Sequence, residues 1–261
     1  MRQNKLFFSR SDRWSLLVSL TAALLVGVFT PAALAADKLE GDRIATNDGD
    51  LIIHPINHAT FVMGWKDKTI YVDPVGGGQR FDGLPRPDLI LVTDIHGDHL
   101  NAETLQAVAG PATTIVAPPA VAEKLPEKLR QQTTVLPNGE TKSVAGVSVE
   151  AVPMYNLTKE RLNYHAKGRG NGYVVTLGGK RVYLSGDTED IPEMRALKNI
   201  DVAFVCMNLP YTMTVEQAAG AVREFKPKIV YPYHYRGSDT EKFKKLVGED
   251  SGEVRLRDWY K

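Results

Sequence analysis

The chain has 261 residues, with 32 Lys and Arg against 31 Asp and Glu and a formal charge of +1. A charge this close to balance offers no global attraction to a polyanion, so no nucleic-acid partner is expected. The single cysteine excludes an internal disulfide.

The first 35 residues read as a signal peptide. Arg2, Lys5, Arg10 and Arg13 make a basic start, Trp14 to Phe29 is almost wholly apolar, and Ala33-Leu34-Ala35 is a small-x-small cleavage pattern. The apolar stretch is shorter than the roughly 20 residues of a membrane span. The expected mature chain therefore starts at Ala36, is periplasmic or secreted, and keeps no membrane insertion. Its 226 residues carry 28 Lys and Arg against 30 Asp and Glu. That is enough for one sizeable core over residues 36–261 and too few for two large domains.

After a polar stretch, Asp37–Asp50, expected to be flexible, the pattern turns to short strands rich in β-branched and aromatic residues. They run Leu51–Ile56, Thr60–Trp65 and Thr69–Asp73, with Lys66-Asp67-Lys68 as a hairpin turn. A glycine-rich connection follows, then the apolar run Leu89–Val92. Helices are expected over Asn101–Ala109 and Pro119–Leu125, and strands over Ile115–Ala117, Thr133–Leu136 and Val147–Val152. In the second half, strands Tyr173–Leu177 and Arg181–Leu184 flank a Gly178-Gly179 turn. A short helix near Ile191–Leu197 leads to a strand at Val202–Cys206. Thr214-Val-Glu-Gln217 has capping-box spacing and opens the best helix, which Pro227 ends. A strand at Lys228–Tyr231 and a helix at Thr240–Leu246 follow. Strand clusters divided by helices predict a layered α/β protein with two sheets face to face.

The densest chemical signal is Thr93-Asp94-Ile95-His96-Gly97-Asp98-His99, directly after the apolar run. Four potential metal ligands fall within six positions. A buried strand that ends in a loop projects several side chains toward one point, and imidazole with carboxylate suits zinc, manganese or iron. His165, Asp187 and His234 stand near three further strand-like runs. The cluster resembles the H-x-H-x-D-H signature of the metallo-β-lactamase superfamily, with Asp94 where that family has its first histidine. The later residues follow in family order, so the resemblance spans about Leu51 to Tyr235.

This resemblance implies a four-layered αββα sandwich with its site at one edge between the sheets. It implies Asp94, His96 and His165 at one metal, Asp98, His99 and His234 at the other, and Asp187 between them. It also implies two divalent metal ions, zinc foremost, which share a hydroxide nucleophile that Asp98 orients. Replacement of an imidazole by Asp94 makes the first position richer in oxygen, which favours manganese or iron there. The alternative is a single ion at Asp98, His99, His234 and Asp187.

His58, in Asn57-His58-Ala59-Thr60, is similar to the Gly-His-Ala/Ser of a branch that includes ascorbate-phosphate lactonases and phospholipid-cleaving enzymes. It is expected near the site, in catalysis or against substrate, or else as a strand-end histidine in a hydrogen bond. His54 reads as an ordinary strand residue and Cys206 as a small core residue. Lys159, Arg161, Lys167 and Arg169 surround His165 and suggest either a clamp for an anionic group or plain surface charge. Asn208, Pro210 and Tyr211 are expected at a rim. The reading is an exported metal-dependent hydrolase that cleaves an ester, lactone or phosphodiester in a small, anionic molecule. A nuclease or a non-enzymatic metal- or ligand-binding protein on the same fold are the alternatives.

Overall fold

The computed structural model describes residues 39–260; the leader expected over residues 1–35 and its cleavage at Ala36 lie outside them. The first sheet runs β1 (Asp42–Ala45), β2 (Asp50–Asn57), β3 (Thr60–Trp65), β4 (Lys68–Val72), β5 (Leu89–Leu91), β6 (Thr114–Ala117) and β7 (Thr133–Val135), in that spatial order. Its first four strands pair antiparallel, and β5 to β7 continue parallel from β4. The second sheet runs β8 (Thr141–Val144), β9 (Val147–Met154), β10 (Gly170–Leu177), β11 (Lys180–Leu184), β12 (Val202–Cys206), β13 (Ile229–Tyr233) and β14 (Glu253–Val254). It repeats the pattern: β8 to β11 antiparallel, β12 to β14 parallel from β11.

Side-chain alternation with period two divides the buried residues between layers. Leu51, Ile53, Phe61, Met63 and Val72 belong to the same core as Val149, Ala151, Tyr173 and Val175, between the sheets. Their neighbours Ile52, Val62, Tyr71 and Ile90 turn the other way and join Leu105, Val108, Val121 and Leu129 of α1 (Ala102–Val108), α2 (Pro119–Lys124) and α3 (Glu127–Arg130). The second sheet is covered by α4 (Pro192–Arg195), α5 (Val215–Phe225) and α6 (Thr240–Val247) through Met194, Ala218, Val222 and Phe243. This is the αββα sandwich that the strand pattern and the resemblance imply. Because both faces of each sheet are covered, its strands read as continuous apolar runs.

The helices begin where their caps predict. Thr214 Oγ1 accepts from Gln217 N at 3.1 Å while Gln217 Oε1 accepts from Thr214 N at 2.9 Å, which closes the capping box of α5. Asn101 caps α1 by accepting from Thr104 N at 2.8 Å. One expectation needs correcting: the polar stretch Asp37–Asp50 contains β1. That edge strand is held by backbone pairing with β2 and by Asp42, which accepts from the Tyr231 hydroxyl at 2.7 Å and from Arg257 Nε at 3.0 Å. Long-range polar contacts of this kind leave no hydrophobic period in the sequence. The short elements β8, α3 and β14 also escape the sequence pattern, because two to four residues are too few to show a period.

Candidate metal centre

The chain turns out of β4, β5, β11 and β13 at one edge of the sandwich, and those exits carry the chemistry. Asp73 leaves β4 in the left-handed region, φ 42°, and its fully buried carboxylate organises the next exit. It accepts from Thr93 N at 2.8 Å, Thr93 Oγ1 at 2.6 Å and His99 Nδ1 at 2.8 Å. The amides of His99 and Leu100 donate to the His96 carbonyl at 3.0 and 2.8 Å and curl residues 96–100 into a tight turn. With Nδ1–H committed to Asp73, His99 presents Nε2 to the centre. Such a carboxylate behind a ligating imidazole fixes its tautomer and orientation.

The second half adds ligands one at a time. Gly186 (φ 60°) makes the turn that delivers Asp187; a Cβ there would lie 2.4 Å from Met154 Sδ. His234 follows β13 in the left-handed region, φ 48°. His165 lies in the β9–β10 connection with Nδ1 3.2 Å from the Tyr211 carbonyl, which turns Nε2 inward.

All seven predicted ligands converge, in two groups. Ligand atoms of Asp98, His99, Asp187 and His234 lie within 4.8 Å of one another, as do those of Asp94, His96 and His165. Asp187 stands between the groups as expected: Oδ2 is 3.2 Å from both His99 Nε2 and His165 Nε2, and Oδ1 is 3.3 Å from His234 Nε2. Among the described residues, His99 Nε2, His165 Nε2 and Asp187 Oδ1 are buried with no hydrogen-bond partner. Burying such atoms unsatisfied is costly, and a cation shared among them removes the cost. The donor set of imidazole and carboxylate fits a divalent transition ion.

The electrostatics point the same way. Burial alone would raise the Asp187 carboxyl, but His234 and His99 beside it hold it well below the usual range. Asp98 behaves alike: burial is outweighed by hydrogen bonds from His234 and His58 and by the charge of His99, so it stays ionised. His58 is pushed down by burial and remains neutral more readily than a free imidazole, despite its bond to Asp98.

His58 takes the place expected near the centre. It occupies the β2–β3 turn in the left-handed region, φ 56°, with Nε2 3.2 Å from Asp98 Oδ2 and Nδ1 2.8 Å from the Tyr260 hydroxyl. His54 is an ordinary strand residue with Nδ1 on the Glu40 carbonyl. Cys206 is a buried core residue whose thiol burial pushes up to about 12.

Of the four cations around His165, Arg161 and Arg169 turn inward, while Lys159 and Lys167 stay exposed. Arg161 donates to Glu189 Oε1 at 2.6 Å and to the Thr212 carbonyl at 3.0 Å. Lys167 pairs with Glu193 at 3.2 Å and lies over the Tyr155 ring. Arg169 forks onto Asp94, Nε to Oδ1 at 3.2 Å and Nη2 to Oδ2 at 3.1 Å. These cations brace the connection. The cation at the cavity is instead Arg236, two residues beyond His234, exposed and 5.7 Å from the Tyr260 ring centroid.

A cavity of about 550 Å³ opens over the centre. His58, His96, Asp98, His165, Asp187 and His234 form its floor, and Asn208, Pro210 and Tyr211 line it as expected, with Leu209, Tyr164 and Arg236. Sequence reasoning missed Asp73, Thr93, Glu189, Arg236 and Tyr260. Asp73 had a signal: like Asp187, which lies three residues beyond β11, it is an aspartate at the exit of an apolar strand. Tyr260 had none, because its contact with His58 spans almost the whole chain.

The profile of the β-lactamase superfamily domain matches residues 53–234, a span that contains every predicted ligand. A UPF0173 metal-dependent hydrolase of Pyrococcus abyssi is 34% identical over 217 residues, 77% of this chain and 94% of that protein. Among solved structures, a protein of Parabacteroides distasonis assigned to the metal-dependent hydrolases is 42% identical with a TM-score of 0.78, covering 85% of this chain and 99% of its own. CmlA, a diiron β-hydroxylase of Streptomyces venezuelae, shares the fold at 18% identity and a TM-score of 0.63, covering 84% of this chain and 53% of its own.

Proposed function

The chain belongs to the UPF0173 metal-dependent hydrolase family of the β-lactamase superfamily, and from that premise we propose that it cleaves an ester, lactone or phosphodiester bond in a small anionic molecule with an apolar portion. The observation that carries this reading is the convergence of buried, unpartnered His99 Nε2, His165 Nε2 and Asp187 Oδ1 beneath an open cavity. Asp98, His99, Asp187 and His234 would hold a divalent ion, zinc foremost for this mixed nitrogen and oxygen set, with manganese or iron as alternatives. Asp94, His96 and His165 offer a second position. A divalent ion in such surroundings supplies Lewis acidity and lowers the pKa of a bound water toward neutrality.

The chain's own groups do the rest. Asp98, kept ionised by the hydrogen bond from His58, accepts a hydrogen from the attacking water and aligns it. His58, held at Nδ1 by the Tyr260 hydroxyl, donates Nε2–H to Asp98 and fixes that carboxylate against the water. Arg236 is the exposed cation at the rim and supports an anionic substrate group. Tyr164, Tyr211 and Leu209 are exposed apolar surfaces at the same mouth, with the two tyrosine rings edge to face at 5.0 Å. They support an apolar portion of the substrate. The basic and apolar leader supports export to the periplasm or beyond, with a mature N-terminus at Ala36 that mass spectrometry of the exported protein would read.

The test is turnover by the zinc-loaded protein on matched anionic and neutral aryl esters, lactones and bis(p-nitrophenyl) phosphate. We expect activity that chelation abolishes, that Asp98→Asn lowers on the order of a hundredfold or more, and whose KM rises for anionic substrates in Arg236→Ala. Full metal content with no turnover on any of these would leave a binding protein.

A further inference from the structure

We infer that Arg169 is a built-in cation that weakens the Asp94–His96–His165 position, so that the centre takes one metal ion tightly at Asp98, His99, Asp187 and His234 and a second only weakly. This rests on the metal-dependent reading above and concerns what sets the metal count.

The two donor groups differ in charge. The four-residue group carries two carboxylates, and among the described residues the ion-pair partners of Asp98 and Asp187 are all histidines. The three-residue group has one carboxylate, and a guanidinium already occupies both its oxygens. His96 Nδ1 takes a further place on Oδ2 at 2.7 Å. With Arg169 counted, the formal charge at this position is zero, against −2 at the other. Arg169 Nη2 also lies 3.5 Å from His96 Nε2 and donates to the Tyr164 carbonyl, so the cation is fixed beside two of the three ligands. Asp94 is fully buried and the Arg169 side chain four-fifths so. Water screens poorly in such surroundings, and a dication beside a guanidinium is strongly repelled. Arginine does not escape the conflict by losing its proton.

The pairing also accounts for the departure from the family signature. An imidazole at position 94 could not accept a two-pronged guanidinium bond, whereas a carboxylate matches it. The sequence alone points to an oxygen-rich position that prefers a harder metal. In the folded chain the oxygens of Asp94 are spent on Arg169 instead.

Zinc titration of the chelator-stripped protein, followed by calorimetry and elemental analysis, tests this without any substrate. The wild type should take one tight equivalent, with a second weaker by at least about a hundredfold. Arg169→Gln should bring the second equivalent close to the first, and Arg169→Lys, which keeps the charge, should not. If Arg169→Gln fails to fold because Asp94 is left buried and unpaired, Asp94→His combined with Arg169→Gln carries the same test, since a neutral imidazole needs no countercharge. Two equally tight equivalents in the wild type would overturn the inference and leave the hydrolase reading intact. So would a second equivalent that Arg169→Gln or the double variant leaves as weak as before. No zinc uptake at all would overturn both.

Discussion

The two halves of the molecule have the same pairing scheme, three antiparallel steps and then three parallel ones, yet they furnish the centre differently. Superposing the schemes makes β4 the counterpart of β11 and the β2–β3 turn the counterpart of the β9–β10 connection. Asp73 and Asp187 are then equivalent aspartates at equivalent strand exits, and His99 lies between them, Nδ1 2.8 Å from one and Nε2 3.2 Å from the other. His58 and His165 are likewise counterparts. In the first half the turn is only His58-Ala59, which sets His58 rigidly against Asp98. In the second half residues 155–169 intervene, and that longer connection carries His165, Arg169 and part of the cavity mouth. Equivalent positions have diverged into one half that orients and one half that closes over. The scaffold supplies the exits, while connection length decides what each exit can do.

Removal of either paired aspartate should expose the difference between the two halves most strongly. Asp187 touches histidines of both donor groups, so Asp187→Ala should abolish tight zinc binding and all turnover, as read by elemental analysis. Asp73 acts only through His99, so Asp73→Asn should weaken zinc about 10- to 100-fold and leave a measurable site. Equal losses would show that Asp73 does more than orient.

The longer connection is predicted to depend on Glu189. Its buried carboxylate accepts from Leu157 N at 2.7 Å, Thr158 N at 2.6 Å and Arg161. Burial alone would raise this carboxyl, but those donors hold it below the usual range. A depressed carboxyl stabilises the fold above its unfolded pKa, and the contribution disappears as pH falls through the folded value. Glu189→Gln should therefore cost about 3 kcal/mol at pH 7 in chemical denaturation, with the difference from wild type shrinking below about pH 4. A constant difference across that range would detach the effect from ionisation.

The smallest expected effect lies on the short turn. Tyr260→Phe removes one hydrogen bond from His58 Nδ1 and leaves the buried Trp259 anchor in place. It should lower kcat/KM about fivefold, the worth of about 1 kcal/mol, with an unchanged melting temperature. No change would make the tyrosine hydroxyl a bystander.

Much of this protein was decided by local sequence. Alternating or continuous apolar runs located most strands, Thr214 and Gln217 marked the start of α5, and four ligands could be read from Asp94 to His99 because one loop holds them all. His165, Asp187 and His234 were legible only through family order, since each is a single polar residue beside an unremarkable run. Folding decided the rest, because it depends on groups distant in the chain meeting in a water-poor interior. Asp73 behind His99, Tyr260 behind His58 and Glu189 beneath the β9–β10 connection leave no period or spacing to read. The same holds for Asp94: its residue type suggested a metal ligand, and only the approach of Arg169, 75 residues away, revealed a carboxylate already neutralised. Periodicity records which face of a strand is buried, but an ion pair between remote loops is recorded only in three dimensions.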